Sequence, residues 1–356
     1  MPSFPRGISQ RAAQAARLFA QWPRPPAFAA ALLLTACAAE PEPALPRLAI
    51  DPGRVAVVGL SSGAYMATQA HLAFSDRLVG AALIAGGPYG CAGGQLDTAL
   101  GPCMKAEPFT PDPARLAGKV RERAAAGDLA PLAGLAGDRV IALHGQADRT
   151  VAEGVSRASL GVYEQLAGDA PGTALRWDGE RGFGHVMPTE ASGVDCVEGG
   201  APHLGNCGFD AAGEALGWLF GPGVAAADAG GELRRFDQEA LRAADADPLL
   251  AAVGFLYVPA ACAAGEACGA VVVFHGCEQD AGRVGERFAR DAGFNRWADV
   301  HRLVVLYPQV RSSYLPLNPK ACWDWWGYTG PDYDTRRGLQ LRWLASAMAA
   351  LGAPLE

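Results

Sequence analysis

Apolar positions along the chain fall into short β-branched runs that alternate with longer amphipathic stretches, with turn residues between them. The runs at 55–58, 78–85, 138–144 and 174–177 predict strands. The stretches from 62 to about 74, at 114–126, at 153–166 and at 209–219 predict helices. Residues 86 to about 110 are rich in Gly and Pro and read as loop, and 182–185 reads as a turn. A Gly/Ala/Asp-rich stretch at 221–231 then interrupts the pattern. Beyond it, runs at 232–236 and 253–259 predict an antiparallel pair, and those at 270–274 and 303–307 predict two buried strands. Helices are expected at 288–300 and at about 335–351. Alternating strands and helices of these lengths predict an α/β fold with a largely parallel sheet.

One boundary in this pattern carries chemistry. Arg54-Val-Ala-Val-Val-Gly59-Leu60-Ser61-Ser62-Gly63 is an apolar run, a Gly-x-Ser-x-Gly turn and the start of a helix. A nucleophile elbow needs that order, because the serine sits on a strained turn where strand and helix backbones approach closely. Ser61 is therefore the candidate nucleophile, and the Ser62 N–H at the helix start is a candidate oxyanion donor. A serine hydroxyl needs a base, and the base needs an acid to orient it. Asp148 directly follows a predicted strand and His185 sits in a Gly-flanked turn, so the order Ser61, Asp148, His185 is that of α/β-hydrolases. His71, His144, His203 and His301 sit in less suitable contexts, and Asp138, the rival acid, precedes its strand.

Val-Val-Phe-His275-Gly276-Cys277 resembles the His-Gly oxyanion loop of esterases, with the Cys277 N–H as donor. That loop ordinarily precedes the nucleophile, whereas here it follows far downstream. A circular permutation accounts for this, with the strands of 232–307 taking the first four places of the sheet and 55–58 the fifth. The alternative is a separate domain at 232–356. Four strands with an open edge make a poor independent unit, so one catalytic domain over 51–356 is expected, built from segments 51–220 and 232–356.

Composition narrows the class further. The chain of 356 residues is half apolar and carries a net charge of −7, a globular balance that argues against a nucleic-acid partner. Arg6, Arg11, Arg17 and Arg24 precede the short apolar run at 27–34, which reads as a signal peptide over 1–37. Leu34-Thr-Ala-Cys37 resembles a bacterial lipoprotein signal, which marks Cys37 for lipidation; ordinary cleavage after Ala38 is the rival reading. Residues 38–50 are expected to be a tether. The chain is thus expected to be exported, to the periplasm, the outer membrane or the outside, and to be monomeric, touching membrane only through the lipid. Eight cysteines remain after either cleavage and lie as neighbours: Cys91 and Cys103, Cys196 and Cys207, Cys262 and Cys268, Cys277 and Cys322. An oxidising compartment makes disulfides the expectation, with 105 pairings formally open. No metal-ligand spacing competes, and no metal or cofactor is expected.

The motifs Gly59-Leu-Ser-Ser-Gly-Ala-Tyr-Met, Gly184-His185, Cys207-Gly-Phe-Asp-Ala-Ala-Gly213, His275-Gly-Cys277 and Cys322-Trp-Asp-Trp-Trp-Gly-Tyr-Thr-Gly330 together resemble extracellular poly(3-hydroxybutyrate) depolymerases, specifically their circularly permuted type 2 catalytic domain. The resemblance runs from about Arg54 to the C-terminus in one order. It implies a Ser61-Asp148-His185 hydrolase with an oxyanion hole from Ser62 and Cys277, acting on poly- or oligo(3-hydroxybutyrate)-type esters through an acyl-enzyme. Trp323, Trp325 and Trp326, with Tyr314 and Tyr328 nearby, either line a crevice for a polyester chain or serve as core. Two other functions stay open: a carbohydrate esterase of the feruloyl or acetylxylan type on the same core, and a non-catalytic ligand-binding lipoprotein.

Overall fold

The structure is a computed structural model that describes residues 42–225, 228–244 and 246–356. The expected signal peptide and lipidation site at Cys37 lie outside the described residues. Eight strands form one sheet: β1 (Ile50–Leu60), β2 (Gly80–Ile84), β3 (Arg139–Leu143), β4 (Ala174–Asp178), β5 (Glu232–Asp237), β6 (Val253–Val258), β7 (Cys268–Phe274) and β8 (Leu303–Tyr307). Their spatial order is β4-β3-β2-β1-β7-β8-β6-β5. The chain thus enters the sheet at its centre, fills one half, and returns to build the other. β1 pairs in parallel with both β2 and β7, which joins the two segments into one sheet. β5 and β6 are antiparallel, and β6 is antiparallel to β8.

Alternation along the central strands explains why the sheet is covered on both faces. Val55 and Val57 belong to one core layer with Ala270, Val272 and Phe274; Ala56 and Val58 belong to the other with Val271 and Val273. The first layer is roofed by helices α1 (Ser62–Ala73), α2 (Pro113–Ala125), α3 (Glu153–Leu166) and α6 (Leu339–Leu351). The second is roofed by α4 (Ala211–Phe220) and α5 (Phe294–His301). α1 is buried all round, which suits its small residues Gly63, Ala64, Ala67 and Ala70. α2 and α4 start at aspartates, Asp112 and Asp210, whose carboxylates accept the first free N–H groups.

Four local expectations change. Residues 42–50, read as a tether, lie on the body: the Leu48 N–H donates to the Leu351 carbonyl at 2.9 Å, Leu45 and Leu48 pack on the core, and Ile50 already starts β1. The helix expected at 288–300 is broken into Arg287–Asp291 and α5, because Gly293 adopts φ 93°. The loop at 86–110 holds two short helices, Leu96–Leu100 and Pro102–Lys105. A small three-stranded sheet of Met187–Thr189, Val194–Asp195 and Leu204–Asn206 follows the 182–185 turn.

Candidate active site

Ser61 sits between β1 and α1 with φ 56° and ψ −120°, a conformation that costs a non-glycine residue strain. The flanking glycines are required by contact. A Cβ on Gly59 would meet the Gly63 carbonyl oxygen at 2.0 Å, and one on Gly63 would meet the Phe274 oxygen at 2.3 Å. Gly59 therefore lets α1 turn back over β1, and Gly63 lets α1 press against the end of β7. The Ser61 N–H is held by the Ile84 carbonyl at 2.8 Å, which fixes the turn to the neighbouring strand.

Asp148 and His185 follow the ends of β3 and β4, on the side of the sheet where Ser61 lies. Asp148 Oδ2 accepts from His185 Nδ1 at 2.7 Å. Its Oδ1 accepts from the N–H groups of Thr150 at 2.7 Å and Val151 at 3.0 Å. The carboxylate is fully buried while the imidazole keeps 15% of its surface. Burial alone would push Asp148 up, but the hydrogen bond and charge of His185 and the two backbone donors outweigh it, holding the carboxyl below its ordinary value. With Nδ1 engaged, Nε2 is the ring nitrogen left to face the cleft.

His275-Gly276-Cys277 leaves β7 beside the elbow. His275 is wholly buried; Val310 N–H donates to its Nε2 at 3.2 Å, and its Nδ1 donates to the Gly276 carbonyl at 2.7 Å. Burial pushes this imidazole down to about 4, so it is neutral, as an Nε2 acceptor must be. Gln279 pins the same turn, accepting the Gly276 N–H at 2.7 Å and donating to the Pro202 and His203 carbonyls, each at 3.0 Å. The next residue but one is pinned too, since Glu278 N–H donates to the Lys320 carbonyl at 2.7 Å. Among the described residues the N–H groups of Ser62 and Cys277 have no protein acceptor.

These groups open onto one cleft of about 450 Å3, lined by Ser61, Ser62, His185, His203, Gly276 and Cys277 and walled by Tyr65, Leu96, Leu100, Met104, Val151, Trp325 and Trp326. The described residues hold four disulfides, Cys91–Cys103, Cys196–Cys207, Cys262–Cys268 and Cys277–Cys322; the last has both cysteines on the cleft wall, while Cys262–Cys268 lies at the opposite end of β7.

No protein-family model matches the chain. It is 36% identical over 303 residues to a poly(3-hydroxybutyrate) depolymerase of Delftia acidovorans, covering 83% of this chain and 59% of the relative's length. It is 33% identical over 319 residues to a polyhydroxybutyrate depolymerase of Talaromyces funiculosus, covering 84% of this chain and 89% of that one. The crystal structure of the PHB depolymerase from Penicillium funiculosum superposes with TM-score 0.77 at 30% identity, over 87% of this chain and 98% of that one. A PHB depolymerase with serine replaced by alanine, complexed with an R3HB trimer, superposes with TM-score 0.78 at 30% identity, over 86% and 98%. The chain belongs to the polyhydroxybutyrate depolymerase family.

Within this cleft the aromatic residues divide. Trp325 and Trp326 line it, and Trp325 stacks on Tyr65 with ring centroids 4.5 Å apart. Trp323, a candidate for the substrate wall, is instead 1% exposed and packs beneath the His275-Gly276-Cys277 turn against Phe274 and His275, 4.9 and 5.6 Å away. Its backbone N–H donates to Ser62 Oγ at 3.3 Å, so it braces the elbow from behind. Tyr314 is 82% exposed on a two-stranded hairpin and does not line the cleft. Tyr328 turns inward, donating to the Cys322 carbonyl at 2.8 Å.

Among the cleft residues that escaped the sequence reading, two stand beside the polar groups of the site. His203 was passed over as a loop residue, yet it lines the cleft at φ 58° with Nδ1 buried and unpartnered among the described residues. Burial pushes its imidazole down, and the charge of His185 adds to that. Gln279 had no signal at all: a lone glutamine after a His-Gly-Cys turn is ordinary loop composition. Of the remaining histidines, His301 has a buried Nε2 with no partner among the described residues, and the other two are occupied away from Ser61. His71 bonds Asp138 at 2.9 Å and Tyr163 at 2.9 Å beneath the sheet's other end, and His144 bonds Ser156 at 3.0 Å.

Proposed function

We propose that this chain is a serine esterase that hydrolyses poly- or oligo(3-hydroxybutyrate)-type ester bonds through an acyl-enzyme. The observation that carries the reading is the Asp148–His185 pair opening with Ser61 onto one apolar cleft, in a chain of the polyhydroxybutyrate depolymerase family. Ser61 Oγ attacks the ester carbonyl carbon while His185 Nε2 takes the hydroxyl proton. The imidazolium that forms is stabilised by the ionised Asp148. The carbonyl oxygen, now negative, accepts from the N–H groups of Ser62 and Cys277, which are free to receive it. Collapse breaks the bond to the alcohol oxygen, which leaves with the proton from His185. Water then attacks the acyl-Ser61 ester by the same route, releasing the carboxylic acid and restoring the serine.

The cleft's apolar walls suit an aliphatic polyester better than a polyhydroxylated sugar, whose hydroxyls need hydrogen-bond partners. The test is to give the protein amorphous poly(3-hydroxybutyrate) granules, a short p-nitrophenyl ester, and feruloylated and acetylated xylan. Clearing of the granules with release of soluble hydroxybutyrate supports the reading. Release of ferulate or acetate without clearing would replace it with the carbohydrate-esterase reading. The four disulfides fit an exported protein. Lipidation of Cys37 belongs to the same proposal and is tested by incorporation of labelled palmitate.

A further inference from the structure

Trp325 and Trp326 form the aromatic wall of the cleft, yet no strand or helix carries them. They sit in a turn whose organisation comes from one side chain, Asp324, which is wholly buried and touches neither the cleft nor Ser61. Its Oδ1 accepts from the backbone N–H groups of Trp326 at 3.3 Å, Gly327 at 2.6 Å and Tyr328 at 3.0 Å. Its Oδ2 accepts from the Thr329 N–H at 2.7 Å and the Thr329 hydroxyl at 2.6 Å. The backbone of Asp324 is anchored on both sides, its N–H donating to Gln340 at 2.9 Å and its carbonyl accepting from Gln69 at 2.9 Å. Gln69 belongs to α1, the helix that starts at the elbow. The turn is thus tied to the nucleophile's own helix at one end and wound around a carboxylate at the other.

We infer that Asp324 is the positioning residue of the substrate wall: it sets where Trp325 and Trp326 stand, and so how an extended ester chain is held against Ser61, without touching the reacting atoms. All five partners of its carboxylate donate, so the turn is built for an acceptor-only group. An amide in its place presents an NH2 to donors that need an acceptor, and the turn must open. Trp326 is then released from its 5.6 Å contact with Trp325, and Trp325 from its stack on Tyr65. The bond-making groups, carried by α1, β3, β4 and β7, keep their own hydrogen bonds.

This rests on the proposed ester hydrolysis, and the experiment separates the two. Parent, Asp324→Asn and Thr329→Val proteins are assayed with p-nitrophenyl acetate and with a 3-hydroxybutyrate trimer. Thr329→Val removes one hydroxyl donor and leaves the backbone bond, so it carries the test where Asp324→Asn does not fold. The expected result is a loss of about tenfold or more in kcat/KM on the trimer for Asp324→Asn, mostly in KM, and a smaller loss in the same direction for Thr329→Val. Turnover of p-nitrophenyl acetate stays within about twofold, because a short acyl group does not reach the wall. Thr329→Ser restores the trimer KM. Equal losses on both esters, or an unchanged trimer KM in folded variants, would overturn the inference. Failure of the parent protein on both esters would instead overturn the proposed function.

Discussion

The oxyanion loop is held by two devices that can be removed separately, and they are predicted to fail in opposite ways. The first is the Cys277–Cys322 disulfide, which closes a loop spanning 45 positions, against 12, 11 and 6 for the other three. If chain entropy dominates, its loss costs about 4 kcal/mol, and the others about 2–3 kcal/mol each. Its loss need not move the Cys277 N–H, because Gly276 and Glu278 on either side keep their bonds to Gln279 and Lys320. Cys322 also stays seated, since Asn318 holds both its N–H and its carbonyl at 2.9 Å. The second device is Gln279. Replacing it with Ala leaves the Gly276 N–H and the Pro202 carbonyl without their partner, while the His203 carbonyl keeps the Met187 N–H at 2.8 Å; each of the two costs about 1–3 kcal/mol, at the low end where the vacated space opens to cleft water. It also frees the residue next to the donor, and a displacement of about 1 Å at such a donor costs on the order of 100-fold in rate. The Cys277→Ser, Cys322→Ser double variant should therefore lose about 4 kcal/mol in urea unfolding and less than about tenfold in kcat. Gln279→Ala should lose about 2 kcal/mol, because the vacated space opens on the cleft and water takes up the two freed groups, and about 10- to 100-fold in kcat. The assays are equilibrium urea unfolding and steady-state hydrolysis of a soluble p-nitrophenyl ester, on the same preparations. A folded disulfide variant slowed by more than 100-fold, or a Gln279→Ala enzyme with parental kcat, would refute the assignment of stability to the one and position to the other.

Three further outcomes are expected. Ser61→Ala should abolish ester hydrolysis, by about 10⁶ in kcat, with an unchanged melting temperature; activity near the parent's would move the nucleophile, with Ser62 examined first. Asp148→Asn should lower kcat by about 10⁴, because the amide leaves His185 in the wrong tautomer, and it should also flatten the acid limb of stability. Asp148 is held below its ordinary carboxyl value, so its contribution is present above about pH 4 and lost as pH falls through the lower folded value. Urea unfolding between pH 6 and pH 3 should thus fall more steeply for the parent than for the Asn variant; parallel curves would contradict this. Trp326→Ala should raise KM for a soluble 3-hydroxybutyrate trimer about tenfold while Tyr314→Ala changes it less than twofold, because only the former lines the cleft; equal effects would return Tyr314 to the binding wall.

What the sequence made legible, and what it hid, follows from how each group is held. The bonded Asp148–His185 pair, and its place beside Ser61 on one cleft, were readable because each residue follows a strand end, where local pattern marks the end of one element and Gly or Asp marks the turn. Trp323, Trp325 and Trp326 could not be told apart. They occupy a turn with no periodicity of its own, and which ring faces the cleft depends on the hydrogen bonds of Asp324 to residues further along. His203 was hidden for a related reason. Its φ of 58° and its place beside His185 follow from the disulfide-bound loop between Cys196 and Cys207 and from Gln279 gripping its carbonyl. The supposed tether at 42–50 was misread because the stretch it continues is rich in Pro, Ala and Glu, while its register is set by long-range backbone bonds such as Leu48 to Leu351.

The permutation bears on why strand ends can be read this way at all. A hydrolase site of this kind needs its serine, acid, base and oxyanion loop at the carboxyl ends of neighbouring strands, and it is indifferent to the order in which the chain visits them. Here the serine follows β1 and the oxyanion loop follows β7, far apart in sequence but paired side by side from Val55–Ala270 to Gly59–Phe274. Gly63 makes that adjacency close, since its missing Cβ leaves room for the Phe274 carbonyl. The requirement that survives rearrangement is therefore one parallel pairing and one glycine. The two strands and the glycine were visible as local patterns, an apolar run ending in Gly-x-Ser-x-Gly and another ending in His-Gly-Cys. Only the pairing between them had to be inferred, and alternating faces enforce it: a one-residue slip of β7 against β1 would send Phe274 to the wrong core layer and carry Cys277 away from Ser61.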